Sequence, residues 1–138
     1  MTSSAEQNLA SLGITLPEAP SPAANYVPYV IVGDMVYVSG QVPFVNGGLQ
    51  VTGKVGDTVT IEQAAGEARI CAINLIAQLK AACGGDLSRV VQVVKLGGFV
   101  ACIADFVPEL PDMLKEFSPT LVRFPNTPLS TLLEIAVL

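Results

Sequence analysis

A chain of 138 residues with a hydrophobic share of 51% and a charged share of 14% is long enough to bury a core as one domain, and too apolar to be disordered. Its net charge of −5, with only seven lysines and arginines, disfavours binding to the phosphate backbone of nucleic acids. The lack of any histidine excludes His-dependent catalytic triads and HExxH-type zinc sites.

The same composition predicts a compartment and an assembly. Three cysteines without CxxC spacing, and a start without a basic segment, indicate a reducing cytoplasm. No apolar stretch has the length of a membrane span, so we expect no membrane partner. The small charged fraction predicts that some apolar surface is covered by further subunits.

The N-terminal segment, residues 1–24, is predicted to be a helix and an extended arm that precede a core at 25–138 within a single domain. The helix is expected over residues 4–12, with Ser4 as its N-cap and Gly13 at its end. The proline-rich ITLPEAPSPAAN that follows predicts an arm that crosses the surface without a core of its own.

A β-hairpin is predicted in the next stretch, NYVPYVIVGDMVYVSGQVP. Tyr26–Val32 and Met35–Ser39 are rich in β-branched and aromatic residues, and Gly33-Asp34 fits a two-residue turn with glycine first. Both runs are apolar on both faces, which indicates strands covered on two sides. The turn signal Asn46-Gly47-Gly48 predicts a further short strand at 49–52.

Residues 61–83 carry the strongest helix signal. Thr60 and Gln63 fit a capping box, and Gly84-Gly85 supplies a stop. Apolar residues recur at helical spacing, and we expect a set of polar residues to take the other side. These are Glu62, Glu67, Arg69, Asn74, Gln78 and Lys80.

The rest of the chain predicts a long strand over Arg89–Cys102, bent or bulged at Gly97-Gly98, a helix around Pro108–Phe117 and a final strand over Thr131–Leu138. The simplest packing of this order is an α+β fold, a mixed sheet with both helices on one face. The other face of such a sheet is apolar and requires partner subunits.

Candidate chemical groups are few. Glu134 is a carboxylate on an apolar final strand, and it suits either proton transfer or an edge-strand charge that discourages aggregation. Ser39-Gly40-Gln41 suits either an anion site at the glycine N–H or a plain strand end, and Tyr26 either lines a pocket or packs in the core. Cys71 and Cys83 are predicted to be small core residues, and no thiol nucleophile is expected.

The hairpin NYVPYVIVGDMVYVSGQVP resembles the signature of the RidA (YjgF/YER057c/UK114) family, also labelled endoribonuclease L-PSP. The resemblance continues through IEQAAGEARICAINLIAQLKAACGGDLSRVV and VVKLGGFV to Asp105-Phe106. It implies a chorismate-mutase-like fold assembled as a homotrimeric barrel, with ligand clefts between subunits. It also implies hydrolysis of 2-iminobutanoate and 2-iminopropanoate to 2-oxo acids and ammonia, without a metal or other cofactor.

Site residues follow from the same resemblance. Tyr26 matches the pocket tyrosine of the family, Ser39 and Gly40 match residues beside the ligand carboxylate, and Glu134 matches the glutamate that positions the attacking water.

The C-terminal third departs from the family pattern, because Pro119 falls where the family has its substrate-clamping arginine. Arg123 is the nearest arginine, and it stands closer to Glu134 than the family spacing. If Arg123 clamps the substrate, deaminase activity is expected. If it does not, a non-catalytic or regulatory trimer that binds small molecules is expected. The acidic composition makes endoribonuclease activity the least favoured function.

Overall fold

The computed structural model describes residues 4–22, 24–104 and 133–137. The predicted helix at 108–117 and the candidate residue Arg123 lie outside this range. The described elements are two α-helices, one short 3-10 helix and six strands. In chain order they are α1 (Ala5–Ser11), β1 (Tyr29–Val32), β2 (Met35–Val38), β3 (Phe44–Val45), β4 (Gly48–Leu49), α2 (Ile61–Ala82), the 3-10 helix (Leu87–Arg89), β5 (Leu96–Val100) and β6 (Leu133–Val137).

The N-terminal helix α1 forms as predicted, with a reciprocal capping box. The Ser4 hydroxyl accepts from the Gln7 amide at 3.2 Å, and the Gln7 side chain accepts from the Ser4 amide at 2.9 Å. The arm that follows does not merely cross the surface, as the sequence suggested. Its first residue, Ile14, is buried in a cluster with Leu9 of α1 and Ile76 of α2. Burial of this apolar side chain anchors the arm at its start.

The first hairpin has the predicted turn. β1 and β2 pair antiparallel with Val32 opposite Met35, and Gly33 has a φ of +58°, a value that glycine adopts without steric cost. β1 begins later than expected, at Tyr29, because the preceding Pro28 has no N–H to donate to the ladder.

The second hairpin is shorter than its prediction. Asn46 and Gly47 both have positive φ, 52° and 79°, which is typical of a type I′ turn. The strand after it covers only Gly48–Leu49 instead of 49–52. The tight turn sets the register, and β4 pairs with β3, which is itself only two residues long.

The long helix α2 begins after Thr60, whose capping box with Gln63 is present as predicted. The polar face of this helix was predicted wrongly. Glu67, Asn74 and Gln78 are buried, because α2 packs against several surrounding elements rather than one sheet face. These elements are β1, β2, β3 and β6.

The predicted strand over Arg89–Cys102 is also wrong in its first half. Residues 87–89 form a 3-10 turn, residues 91–95 have no regular structure, and the strand is confined to Leu96–Val100. High β propensity at Val90–Val94 does not suffice to form a strand, because tertiary context outweighs propensity. Val91 is accordingly 71% exposed.

The final strand forms as predicted and pairs parallel to β5, with Gly97 opposite Glu134. Because β1–β2 and β3–β4 are antiparallel, the described strands make up a mixed β architecture beside α2. A second core cluster, which includes Val55, Val59 and Cys71, lies under the start of α2. Within the described ranges, no helix has the length and hydrophobicity that crossing a membrane requires.

Candidate functional site

The end of the first hairpin, Ser39–Gln41, forms a fixed corner, which we call the Ser-Gly-Gln corner. The Ser39 amide donates to the Pro28 carbonyl at 2.9 Å, one step beyond the end of the β1–β2 ladder. The Ser39 hydroxyl donates to the Val27 carbonyl at 2.6 Å. These two bonds tie the corner to the strand opposite and hold the serine in one orientation.

Tyr26 closes the same corner from the other end of the hairpin. Its hydroxyl donates to the Gly40 carbonyl over 3.5 Å, a long hydrogen bond, and the side chain remains exposed. The structure therefore brings together three residues that were predicted as binding residues from sequence: Tyr26, Ser39 and Gly40. A core-packing role for Tyr26 does not fit its exposure.

Gln41 belongs to the Ser39-Gly40-Gln41 motif of the sequence, but no role was predicted for its side chain. Its side chain is only 8% exposed, and its Nε2 donates to the carbonyls of Ser39 at 3.1 Å and Gly40 at 3.4 Å. The sequence signal for this role was a lone amide side chain within the apolar run VSGQVP. A buried amide in such a run requires hydrogen-bond partners, which the backbone can supply.

The Gly40 N–H is the group that this geometry leaves available. The C=O of Ser39 and the N–H of Gly40 belong to one trans peptide and point in opposite directions, so the bond from Gln41 to that carbonyl also orients the amide. Among the described residues, the Gly40 amide has no hydrogen-bond partner. A Cβ built on Gly40 would meet nothing within 4 Å. An oriented N–H beside open space can donate to an anionic oxygen.

Glu134 is placed by its strand. It pairs in register with Gly97, a cross-strand neighbour that carries no side chain. Gly97 and Phe99 are the exposed members of β5, and they alternate with the half-buried Leu96, Gly98 and Val100. Arg123 lies outside the described residues.

Cys71 of α2 and Cys83, the C-cap of that helix, are core residues, as predicted. Burial, with a further contribution from the nearby Glu67 carboxylate, raises the pKa of the Cys71 thiol to about 12. Burial also raises the pKa of Cys83. Neither thiol forms a thiolate readily at neutral pH, so neither suits nucleophilic attack. Across residues 4–22, 24–104 and 133–137, no group of three or more cysteines and carboxylates is arranged to hold a metal ion.

Comparison with known proteins gives consistent matches over most of the chain. A family model described as "YjgF/chorismate_mutase-like, putative endoribonuclease" matches residues 6–124. Protein TCP17 of Trypanosoma cruzi is 44% identical over 102 residues, which are 74% of this chain. Those residues span 63% of TCP17, so this chain covers less than two thirds of that relative.

Two solved structures are similar over nearly the whole chain. A protein of Shewanella oneidensis MR-1, described as a "putative endoribonuclease", is 31% identical with a TM-score of 0.81; the match covers 99% of this chain and 89% of that one. Atu1372 of Agrobacterium tumefaciens, described as having unknown function, is 38% identical with a TM-score of 0.77; the match covers 97% and 80%.

Proposed function

We propose a function from the premise that the chain belongs to the YjgF/chorismate mutase-like family and has the α+β fold of that family. In this proposal the chain binds a small 2-imino or 2-oxo acid at the Ser-Gly-Gln corner and hydrolyses the imine. The observation that carries the proposal is the Gly40 amide, which is oriented by Gln41, lacks a partner among the described residues and belongs to a residue with open space at its Cβ position.

The corner suits one end of such a ligand. A 2-imino acid carries a carboxylate next to its C=N carbon, and the Gly40 N–H donates a hydrogen bond to one carboxylate oxygen. The hydroxyls of Ser39 and Tyr26 donate to backbone carbonyls and keep lone pairs for a donor on the ligand or for water. In this proposal Arg123 supplies the cation that clamps the carboxylate.

The reaction then requires one base. Glu134 takes a proton from a water molecule as the water oxygen adds to the C=N carbon, and it passes that proton to the nitrogen, which gives a carbinolamine. Glu134 then carries the proton of the carbinolamine hydroxyl to the same nitrogen. When the carbinolamine collapses, the C–N bond breaks, the nitrogen leaves as ammonia, and the oxygen remains as the carbonyl of the 2-oxo acid. Imine and water are consumed in equal amounts, and no metal or cofactor takes part.

The same proposal includes an assembly of subunits with ligand clefts between them. The described surface exposes large apolar side chains on both strands of the first hairpin and on β5, including Ile31, Tyr37 and Phe99. A monomer rarely exposes so many neighbouring apolar groups. We propose that a homotrimer covers them.

Catalysis is tested by generating 2-iminopropanoate in situ and measuring its hydrolysis. Wild type is expected to exceed the buffer rate, and Glu134→Gln to lower the enzymatic rate by about 10²-fold or more, as loss of a general base does. Arg123→Ala is expected to raise KM. Glu62→Gln, which removes an exposed carboxylate on α2, is the control and retains wild-type activity. A wild-type rate equal to that of buffer would exclude the deaminase function.

A binding function without turnover is the alternative, favoured by the proline at position 119 in place of the family arginine. In that case small 2-oxo acids raise the melting temperature without any hydrolysis of imines. Turnover that depends on Glu134 would rule this alternative out.

The description of relatives as endoribonucleases points to RNA, but the chain carries twelve acidic and seven basic residues. Phosphate-backbone binding requires clustered cations. We therefore expect no retardation of RNA at low salt, and salt-dependent retardation would overturn this expectation.

A further inference from the structure

A second cleft, separate from the Ser-Gly-Gln corner, lies between the N-terminal arm and the β3–β4 hairpin. Its volume is about 470 Å³, and one wall is formed by the arm from Pro17 to Pro22. Phe44, Asn46 and Gly47 form the opposite wall, and Asn74 of α2 contributes at the base. We call this space the arm cleft. Neither the family resemblance nor the proposed function assigns it a role.

Two buried amides on successive turns of α2 hold the walls in place. Asn74 Nδ2 donates to the carbonyls of Val42 at 3.2 Å and Phe44 at 3.1 Å, which fixes the hairpin wall. Gln78 Nε2 donates to the Pro20 carbonyl, which fixes the arm wall. Because the two amides are four residues apart on one helix, the separation of the walls is set by α2 itself.

The Oδ1 atom of Asn74 is an acceptor to which none of the described residues donates a hydrogen bond. Both Nδ2 hydrogens are used by the two carbonyls, which determines the orientation of the amide and leaves Oδ1 as the free end. The residue is 3% exposed, and among the described residues Oδ1 has no hydrogen-bond partner. An acceptor that has no partner among the described residues, on a side chain that lines the cleft, is available to a ligand that brings an N–H or O–H donor.

The charges of the residues that line the arm cleft favour one class of hydrogen-bond donor over another. Glu18 is the one charged residue among the described lining residues, and no lysine or arginine contributes to either wall. Three prolines and Phe44, which are apolar and stiff, also line the cleft. A site with a carboxylate, an amide acceptor and an apolar wall is complementary to a small organic cation and repels an anion.

We propose that the arm cleft binds a small molecule with a primary ammonium group and a short apolar chain. The ammonium donates to Asn74 Oδ1 and pairs with the Glu18 carboxylate, while the apolar chain packs against Phe44 and the prolines of the arm. This ligand is opposite in charge to the 2-oxo acids proposed for the Ser-Gly-Gln corner, so the two sites are distinguishable by ligand chemistry alone.

The test is a titration of the full-length, ¹⁵N-labelled protein with 1-butylammonium, followed by NMR. Saturable shifts are expected for the Asn74 side-chain amide and for the Ser21 backbone amide in the arm wall. Butyrate, which has the same chain length and the opposite charge, is expected to leave both signals unchanged. Glu18→Gln is expected to weaken the binding of the cation by about three- to tenfold, because it removes one exposed ion pair.

Glu62→Gln is the matched control, since it removes an exposed carboxylate of the same type outside the cleft, and it is expected to bind 1-butylammonium like wild type. Three results would each overturn the proposal: shifts that do not saturate, equal binding of butyrate and the cation, or equal effects of Glu18→Gln and Glu62→Gln. Glu18 is exposed, so its variant is expected to fold, which a thermal melt verifies.

Discussion

Glu67 is a residue with an ionisable side chain that lies in a buried position. It is 6% exposed on α2, and its Oε2 has no hydrogen-bond partner among the described residues. Burial raises the pKa of this carboxyl above its ordinary value. The folded chain therefore binds a proton more tightly than the unfolded chain does. It follows that the stability of the fold falls as pH rises from the unfolded pKa through the folded pKa, and remains lower above both.

Replacing Glu67 with methionine, which has a similar length and no charge, is expected to raise the free energy of unfolding at pH 7 by about 1–2 kcal/mol. The gain is expected to shrink in acid, where the wild-type carboxyl is protonated. Urea unfolding at a series of pH values measures both effects.

Glu62→Gln is again the control, and it is expected to change the free energy of unfolding in the opposite direction. Glu62 is exposed in the first turn of α2, where a negative charge interacts favourably with the helix dipole. Its loss is expected to lower stability by about 0.3–1 kcal/mol. A Glu67→Met variant that is less stable than wild type at pH 7 would show that the carboxylate has a stabilising partner.

At the level of single residues, only part of the candidate site was predictable from the sequence. Residue type pointed to Ser39, Gly40 and Tyr26, because glycine at a strand end exposes the backbone and tyrosine offers a polar tip. Sequence patterns could not reveal the role of Gln41, since the direction of the Gly40 amide depends on a side-chain bond to the preceding carbonyl. Glu134 and Arg123 retain their predicted roles as proposals.

At the scale of elements, capping boxes and glycine turns located the ends of α1, α2 and the first hairpin, because these signals are local. The faces of α2 were not predictable in the same way. Asn74 and Gln78 are polar, yet both are buried because each hydrogen-bonds a backbone carbonyl from a distant segment. Likewise, the valines at 90–94 have high β propensity but lie outside the strand, because tertiary context outweighs propensity.

Gln78→Leu tests whether the buried amide holds the arm. The change leaves the Pro20 carbonyl without its donor, and we expect the free energy of unfolding to fall by about 1–3 kcal/mol. Cleavage after Glu18 by a glutamate-specific protease is expected to accelerate, because the arm detaches locally from α2. Gln92→Leu, at an exposed position, is the control and is expected to change neither quantity. Unchanged cleavage in Gln78→Leu would mean that Ile14 alone anchors the arm.

At the scale of the whole molecule, the exposed apolar side chains are the dominant surface feature of the described residues. Phe99 is 67% exposed on β5, on the face to which Gly97, the cross-strand neighbour of Glu134, also belongs. Composition predicted such a surface from the 14% charged share. It could not indicate which strands carry the exposed groups, because that depends on the tertiary arrangement.

Sedimentation equilibrium tests the assembly. A homotrimer is expected to have a mass near 43 kDa, three times the chain mass of 14.4 kDa. Ile31→Lys introduces a charge on the exposed face of β1 and is expected to shift the mass toward that of one chain. Thr52→Lys, at an exposed polar position, is expected to leave the mass unchanged. A wild-type mass near 14 kDa at micromolar concentration would exclude the trimer.

The central claim is that the Gly40 amide receives the carboxylate of the ligand, and NMR titration of the ¹⁵N-labelled protein with 2-oxobutanoate tests it most directly. A saturable downfield shift of the Gly40 amide proton is expected, because a new hydrogen bond forms to a charged oxygen. The ketone 2-butanone, which lacks the carboxylate, is expected to leave this signal in place. A Gly40 signal that is unchanged at saturating 2-oxobutanoate, or that moves equally with 2-butanone, would contradict the account.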